Sequence, residues 1–101
     1  MDPVGTAERA ADLFRLLGDP TRVRLLDALA NADELPVHEL ARLVGASETR
    51  VSQALRLLRT AGVVRNRRDG RLVYYRLDDD HVRTLLRVTL DHLAHLETGR
   101  A

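Results

Sequence analysis

With 101 residues the chain has room for one domain, 1–101, and a core so modest that a second copy covering its apolar surface is a natural complement. No run approaches the ~18 apolar residues of a membrane span, Met1-Asp2-Pro3-Val4-Gly5 lacks the regions of a secretory leader, and the lack of cysteine excludes disulfides, thiolate metal sites and thiol redox switches, so a cytoplasmic chain is expected. The net charge of +1 conceals a division: residues 47–76 hold eight Arg against Glu48 and Asp69, while the remainder is acidic, so the positive charge sits in one module.

Hydrophobic residues make up 45% of the chain but aromatics only 3%, which leaves Leu, Val and Ala to build the core and favours helix. The first helix is expected from Thr6 to Leu17, with Ala7, Ala10, Ala11, Phe14 and Leu17 at helical spacing, small side chains suited to close helix contact, and Gly18 as its stop. Asp19-Pro20 reads as an N-cap followed by proline at the first helical position and opens a second helix to about Ala30, with Val23, Leu25, Leu26 and Leu29 inward. After a polar connection over 31–35, Pro36 starts a short helix whose apolar positions are Leu40, Leu43 and Val44 and which ends at Gly45.

Val44-Gly45-Ala46-Ser47 is a tight turn with Gly closing one helix and Ser capping the next, the signature of a helix-turn-helix. The helix over about 47–61 buries Val51, Ala54, Leu55 and Leu58, and Thr49, Ser52, Gln53, Arg56 and Thr60 form a polar stripe opposite. Such side chains read base edges in the major groove, with Arg50 and Arg59 placed for flanking phosphates. The period then becomes alternating: Val63–Arg68 and Leu72–Leu77 flank Asp69-Gly70, a hairpin signal, so a wing spans about 63–77. Arg65, Arg67, Arg68 and Arg71 crowd this ribbon and repel one another unless an anion such as a phosphate backbone joins them. Helical period returns over about 79–97 with Val82, Leu85, Leu86, Leu90 and Leu93 apolar up to Gly99, and no later element is left to cover that face. The fold class is therefore mainly α with a small β-hairpin, a winged helix-turn-helix in the order α-α-α-α-β-β-α, forming a homodimer through its first and last helices.

The runs Leu17–Leu26 (LGDPTRVRLL), Val51–Val64 (VSQALRLLRTAGVV) and Gly70–Leu77 (GRLVYYRL) resemble the ArsR/SmtB family of bacterial repressors. The resemblance implies a homodimer, repression by binding double-stranded operator DNA, and release when an inducer binds. One departure is Gln53-Ala54, where relatives often carry a His, and base preference is left open by it.

Of four histidines, His38 stands alone near the third helix, and His81, His92 and His95 fall in the last. His92 and His95 share a helix face, and Asp79 can turn toward His81 at the helix start. Eleven residues of helix separate His81 from His92 by ~16 Å, so the pairs cannot serve one ion within one chain. In two such helices packed antiparallel about a two-fold axis, Asp79 and His81 of one chain meet His92 and His95 of the other, giving two sites per dimer. This spacing resembles the final-helix metal site of the family's zinc and cobalt sensors. Three imidazoles and a carboxylate suit tetrahedral Zn(II), with Co(II) as a mimic; Ni(II) prefers more ligands, and no His precedes His38 to supply them. In relatives a ligating His also donates its second ring proton to a recognition-helix carbonyl, which here implies His92 and the backbone near Gln53. The function expected is a metal-responsive repressor, with a metal-independent regulator of the same type as the alternative. An enzyme is not expected: no nucleophile is paired with a base, and there is no phosphate loop.

Overall fold

The computed structural model describes residues 5–98, and both Met1–Val4 and Gly99 lie outside them. The elements run α1 (Thr6–Leu17), α2 (Pro20–Ala30), β1 (Leu35–Pro36), α3 (Val37–Val44), α4 (Glu48–Thr60), β2 (Val64–Asp69), β3 (Leu72–Leu77) and α5 (Asp80–Thr98). Each boundary has a local cause. The Asp19 carboxylate accepts the Arg22 N–H at 3.0 Å and Pro20 follows in the first turn, where a missing N–H costs nothing. Gly45 closes α3 with φ of +70°, its N–H donating to the Ala41 carbonyl, and the Ser47 hydroxyl then accepts the Arg50 N–H at 3.1 Å to open α4. These two caps, one residue apart, set the helix-turn-helix.

β1 is the element that the sequence reading does not contain. Leu35 and Pro36 pair antiparallel with Tyr75 and Tyr74 of β3, so the hairpin becomes a three-stranded sheet in the order β1-β3-β2. Pro36 ends this strand in an extended conformation and serves as the residue before α3 instead of its first helical residue. A two-residue edge strand tolerates proline, and the residue preceding a proline is itself biased to extended backbone. At the hairpin tip Asp69 pairs with Leu72, which leaves Gly70-Arg71 as the two-residue loop. Gly70 has φ of +62° and Arg71 a negative one, the II′ pattern, in which glycine occupies the first central position.

The core lies between α2, α3, α4 and the inner sheet face. Leu25, Leu26, Leu29, Leu40, Val51, Leu55 and Leu58 are fully enclosed, and Val63, Val64, Tyr75 and Leu77 close it from the wing side. Among the described residues no polar or charged residue is buried. Leu43 is half exposed, because the short α3 meets its neighbours through Leu40, Ala41 and Val44 and carries Leu43 on its flank.

α1 and α5 have no buried residue at all. Phe14, Leu17, Leu26, Val82, Leu86 and Leu90 line an open apolar groove between them and α2. Phe14 remains 61% and Val88 57% exposed. The body measures 49 × 40 × 21 Å with a radius of gyration of 14.9 Å, against about 13 Å for a compact chain of this length. The excess comes from a long helix that protrudes beyond a small core.

Candidate nucleic-acid interface and metal-ligand pairs

α4 turns one face to the core through Val51, Ala54, Leu55 and Leu58. Thr49, Arg50, Gln53, Arg56 and Thr60 are exposed on the rest of its surface, and Ser52 is half-buried. Glu48 in the first turn and Arg59 in the last complement the helix dipole. Leu57, assigned to neither stripe by sequence reading, is 51% exposed and stands one turn beyond Gln53, adding an apolar spot to the polar face. Its position four residues from Gln53 was visible in the sequence; its exposure was not.

The sheet register sorts the wing arginines. Val64, with its partner Leu77, faces the core, so the alternation puts Arg65 and Arg67 on the outer face with Tyr74 and Arg76. Arg68 falls on the opposite face and Arg71 in the loop. Arg65 stands directly opposite Arg76 and is drawn to Asp78, with Nε 3.4 Å from the carboxylate. Arg67 is the most engaged of the set. Its Nε donates to both oxygens of Glu34 at 2.9 and 3.0 Å, a terminal nitrogen also pairs with that carboxylate, and the guanidinium lies 4.6 Å from the Tyr74 ring centroid. That hydrogen bonding holds the Glu34 carboxyl below the usual carboxylate range, against a smaller opposing effect of partial burial and with help from the charges of Arg67 and Arg76. Sequence reading missed Glu34, and no local signal marks it, since 33 residues separate it from Arg67.

On α5 the four expected metal ligands fall at two places. Asp79 stands just before the helix: one carboxylate oxygen accepts the His81 N–H at 2.9 Å, and the other lies 3.1 Å from His81 Nδ1. Asp79 therefore caps α5 and orients the His81 ring, leaving Nε2 outward; that side chain is 93% exposed. His92 and His95 are exposed further along the helix. Among the described residues no three His, Cys, Asp or Glu side chains of one protomer come together. His38 is exposed on α3. Arg83, one turn into α5, reaches back to the end of α2, where its Nε donates to the Ala30 carbonyl at 3.1 Å while Asp80 pairs with its other end.

Comparison with known proteins places this arrangement. Residues 19–66 match the family model described as bacterial regulatory protein, arsR family. A transcriptional repressor SmtB homologue of Synechocystis sp. is 48% identical over 87 residues, 86% of this chain and 65% of the relative. A cadmium resistance transcriptional regulatory protein CadC homologue of Staphylococcus aureus is 39% identical over 81% of this chain and 68% of its own length. The chain belongs to the ArsR family. Members of this family are DNA-binding transcriptional regulators and not enzymes. A homodimeric winged helix-turn-helix DNA-binding domain from Mycobacterium bovis superposes with a TM-score of 0.84 at 26% identity, covering 99% of this chain and 96% of that one. The ArsR chain described here spans about two thirds of the length of those two curated relatives. The matched segment 19–66 covers the helix-turn-helix and ends inside β2, so the family signature lies in the DNA-facing half and leaves α5 outside.

Proposed function

We propose that this protein is a metal-responsive transcriptional repressor, which binds operator DNA as a metal-free homodimer and is released from it on loading with Zn(II) or its mimic Co(II). The observation that carries the reading is α5: a 19-residue helix with no buried residue, an apolar face continuous with that of α1, and ligand-type side chains paired at its start and again near its end. A second copy seated on the α1–α5 groove would cover the apolar face, and the M. bovis domain that superposes on this chain is homodimeric. Antiparallel α5 helices then bring Asp79 and His81 of one protomer to His92 and His95 of its partner.

The donor set fits a tetrahedral divalent ion, since His81 and the exposed His92 and His95 offer imidazole nitrogens and Asp79 an oxygen. When bound, the ion supplies a cross-link between the two final helices. The chain's own contribution is positional. In the metal-free chain Asp79 holds His81 beside it, a contact that a shared ion would replace, and Arg83 ties the same end of α5 to the last carbonyl of α2, the helix that packs against the helix-turn-helix. Metal response agrees with the cadmium in the name of the CadC homologue, while the lack of cysteine here points away from thiolate ligation and toward the imidazole set.

On the DNA side, Thr49, Ser52, Gln53, Arg56 and Thr60 read base edges, Leu57 offers an apolar surface suited to a thymine methyl, and Arg50 with Arg68 and Arg71 of the wing meets phosphates. Metal shifts the equilibrium only as far as it binds the DNA-free form more tightly, and operator must weaken metal binding by the same factor. The test is fluorescence anisotropy of apo protein on its promoter DNA, with Zn(II), Co(II) and Ni(II) added in turn. Zn(II) and Co(II) are expected to lower affinity by about 5- to 150-fold, the usual span of allosteric coupling. If no metal lowers it, the metal-independent alternative replaces this reading and DNA binding stands.

A further inference from the structure

We propose that Glu34 and Arg67 form a clasp that positions the wing for DNA, with Arg67 spent inside the protein and the phosphate contacts of the wing left to Arg68 and Arg71. The inference rests on the DNA-binding reading above. It assigns a positioning residue, Glu34, that lies outside the helix-turn-helix and the wing.

The geometry is a bridge across the sheet. β1 and β2 flank β3 on opposite sides and do not touch. Glu34 immediately precedes β1, Arg67 is on β2, and the Tyr74 ring of β3 lies beneath the guanidinium that joins them. The pair thus links the two outer strands over the middle one. Both ways in which an arginine binds are used here, its edge by a fork of hydrogen bonds to a carboxylate and its face by an aromatic ring. A phosphate could take this forked edge of Arg67 only by displacing Glu34, and the remaining terminal nitrogen lies 3.8 Å from the Asp69 carboxylate.

Glu34 is itself held in place. The segment that carries it begins at Ala30, whose carbonyl is held by Arg83, and continues through Asn31, whose side-chain amide donates to the Asp27 carbonyl at 2.8 Å. It ends in the paired residues Leu35 and Pro36. The wing needs such an anchor. Beyond Val64 every residue of β2 is exposed, and the directly opposed Arg65 and Arg76 push the ribbon apart. Arg68 on the other sheet face and Arg71 in the loop form no ion pair among the described residues, so their charges are available at the tip.

Salt dependence of DNA affinity separates a clasp from a contact, because each phosphate contact contributes about 0.9 to the slope of log K against log salt. The neutral double variant Glu34→Gln/Arg67→Gln should keep the wild-type slope and lose about 2- to 12-fold in its preference for operator over non-operator duplex, the cost of leaving the wing to be ordered on binding. Glu34→Gln alone should steepen the slope by about 0.9, as Arg67 becomes free to meet phosphate, whereas Arg68→Gln and Arg71→Gln should each flatten it by about 0.9. Amide hydrogen exchange over residues 66–73 should quicken in the double variant while exchange in α2 stays unchanged. A double variant whose slope falls by about 0.9 overturns the proposal, because Arg67 is then a phosphate contact. A double variant with unchanged slope and unchanged operator preference overturns it equally, because the clasp then does nothing for DNA. Wild-type protein with no preference among duplexes overturns the repressor reading beneath it.

Discussion

The two halves of this molecule solve the problem of a small core in opposite ways. The half from α2 to β3 closes on itself: seven leucine and valine side chains of α2–α4 are fully enclosed, and Asp19, Gly45 and Ser47 cap or close its helices. The half made of α1 and α5 encloses nothing, yet carries Phe14, Leu85, Val88, Leu90 and Leu93 in the open. In the proposed repressor the first arrangement fixes the shape offered to a DNA groove, and the second leaves an apolar face for a partner copy, which is where control would act. The family model matches residues 19–66, within the first half, and the 87-residue match to the SmtB homologue reaches beyond it.

Truncations in the two halves should break this contrast most visibly. Leu26→Ala or Leu55→Ala should lower the stability of the folded chain by about 2–5 kcal/mol in urea unfolding, since each side chain is fully enclosed. Phe14→Glu and Leu93→Glu should instead leave the secondary structure intact by circular dichroism and shift sedimentation from dimer to monomer. A smaller effect belongs to the turn between α3 and α4: Ser47→Ala should cost about 0.5–2 kcal/mol in the same unfolding assay, through the lost cap on the Arg50 N–H.

The smallest effect is the acid sensitivity of the wing. Because Arg67 depresses the Glu34 carboxyl in the folded protein, the clasp contributes fully above the ordinary carboxylate pKa and is lost as pH falls through the lowered folded value. Chemical-shift titration of the Arg67 side chain should therefore report release below the range in which free glutamates titrate. In Glu34→Gln that transition should be missing.

Much of this was legible in the sequence, for reasons that differ along the chain. α1 lies over the expected residues because Gly18 stops it, and α2 begins where Asp19-Pro20 announces it. The helix-turn-helix follows from Gly45 and Ser47, both of which act locally. β1 was not legible, since two residues ending in proline carry no alternation and owe their strand geometry to Tyr74 and Tyr75. The exposure of Leu43 was not legible either, because a helix of eight residues leaves the centre of its apolar face poorly defined. The Glu34–Arg67 bridge depends on the sheet being assembled, so sequence reading assigned Arg65, Arg67, Arg68 and Arg71 one common role where the fold separates them by strand face and loop. The four proposed metal ligands stand as two separate pairs, as their spacing in the sequence implies, and their meeting would need a second chain.

That meeting is the central claim, and subunit mixing tests it directly. One variant removes Asp79 and His81 by alanine substitution and another removes His92 and His95; each is titrated with Zn(II) alone and after the two are mixed and re-equilibrated. In a mixed dimer, one site combines both defective pairs and the other combines both intact pairs. The account predicts no tight zinc binding by either variant alone, and one ion per mixed dimer together with partial zinc-dependent release of operator DNA. Tight binding by either variant alone, or none by the mixture, would contradict a site shared between the two final helices.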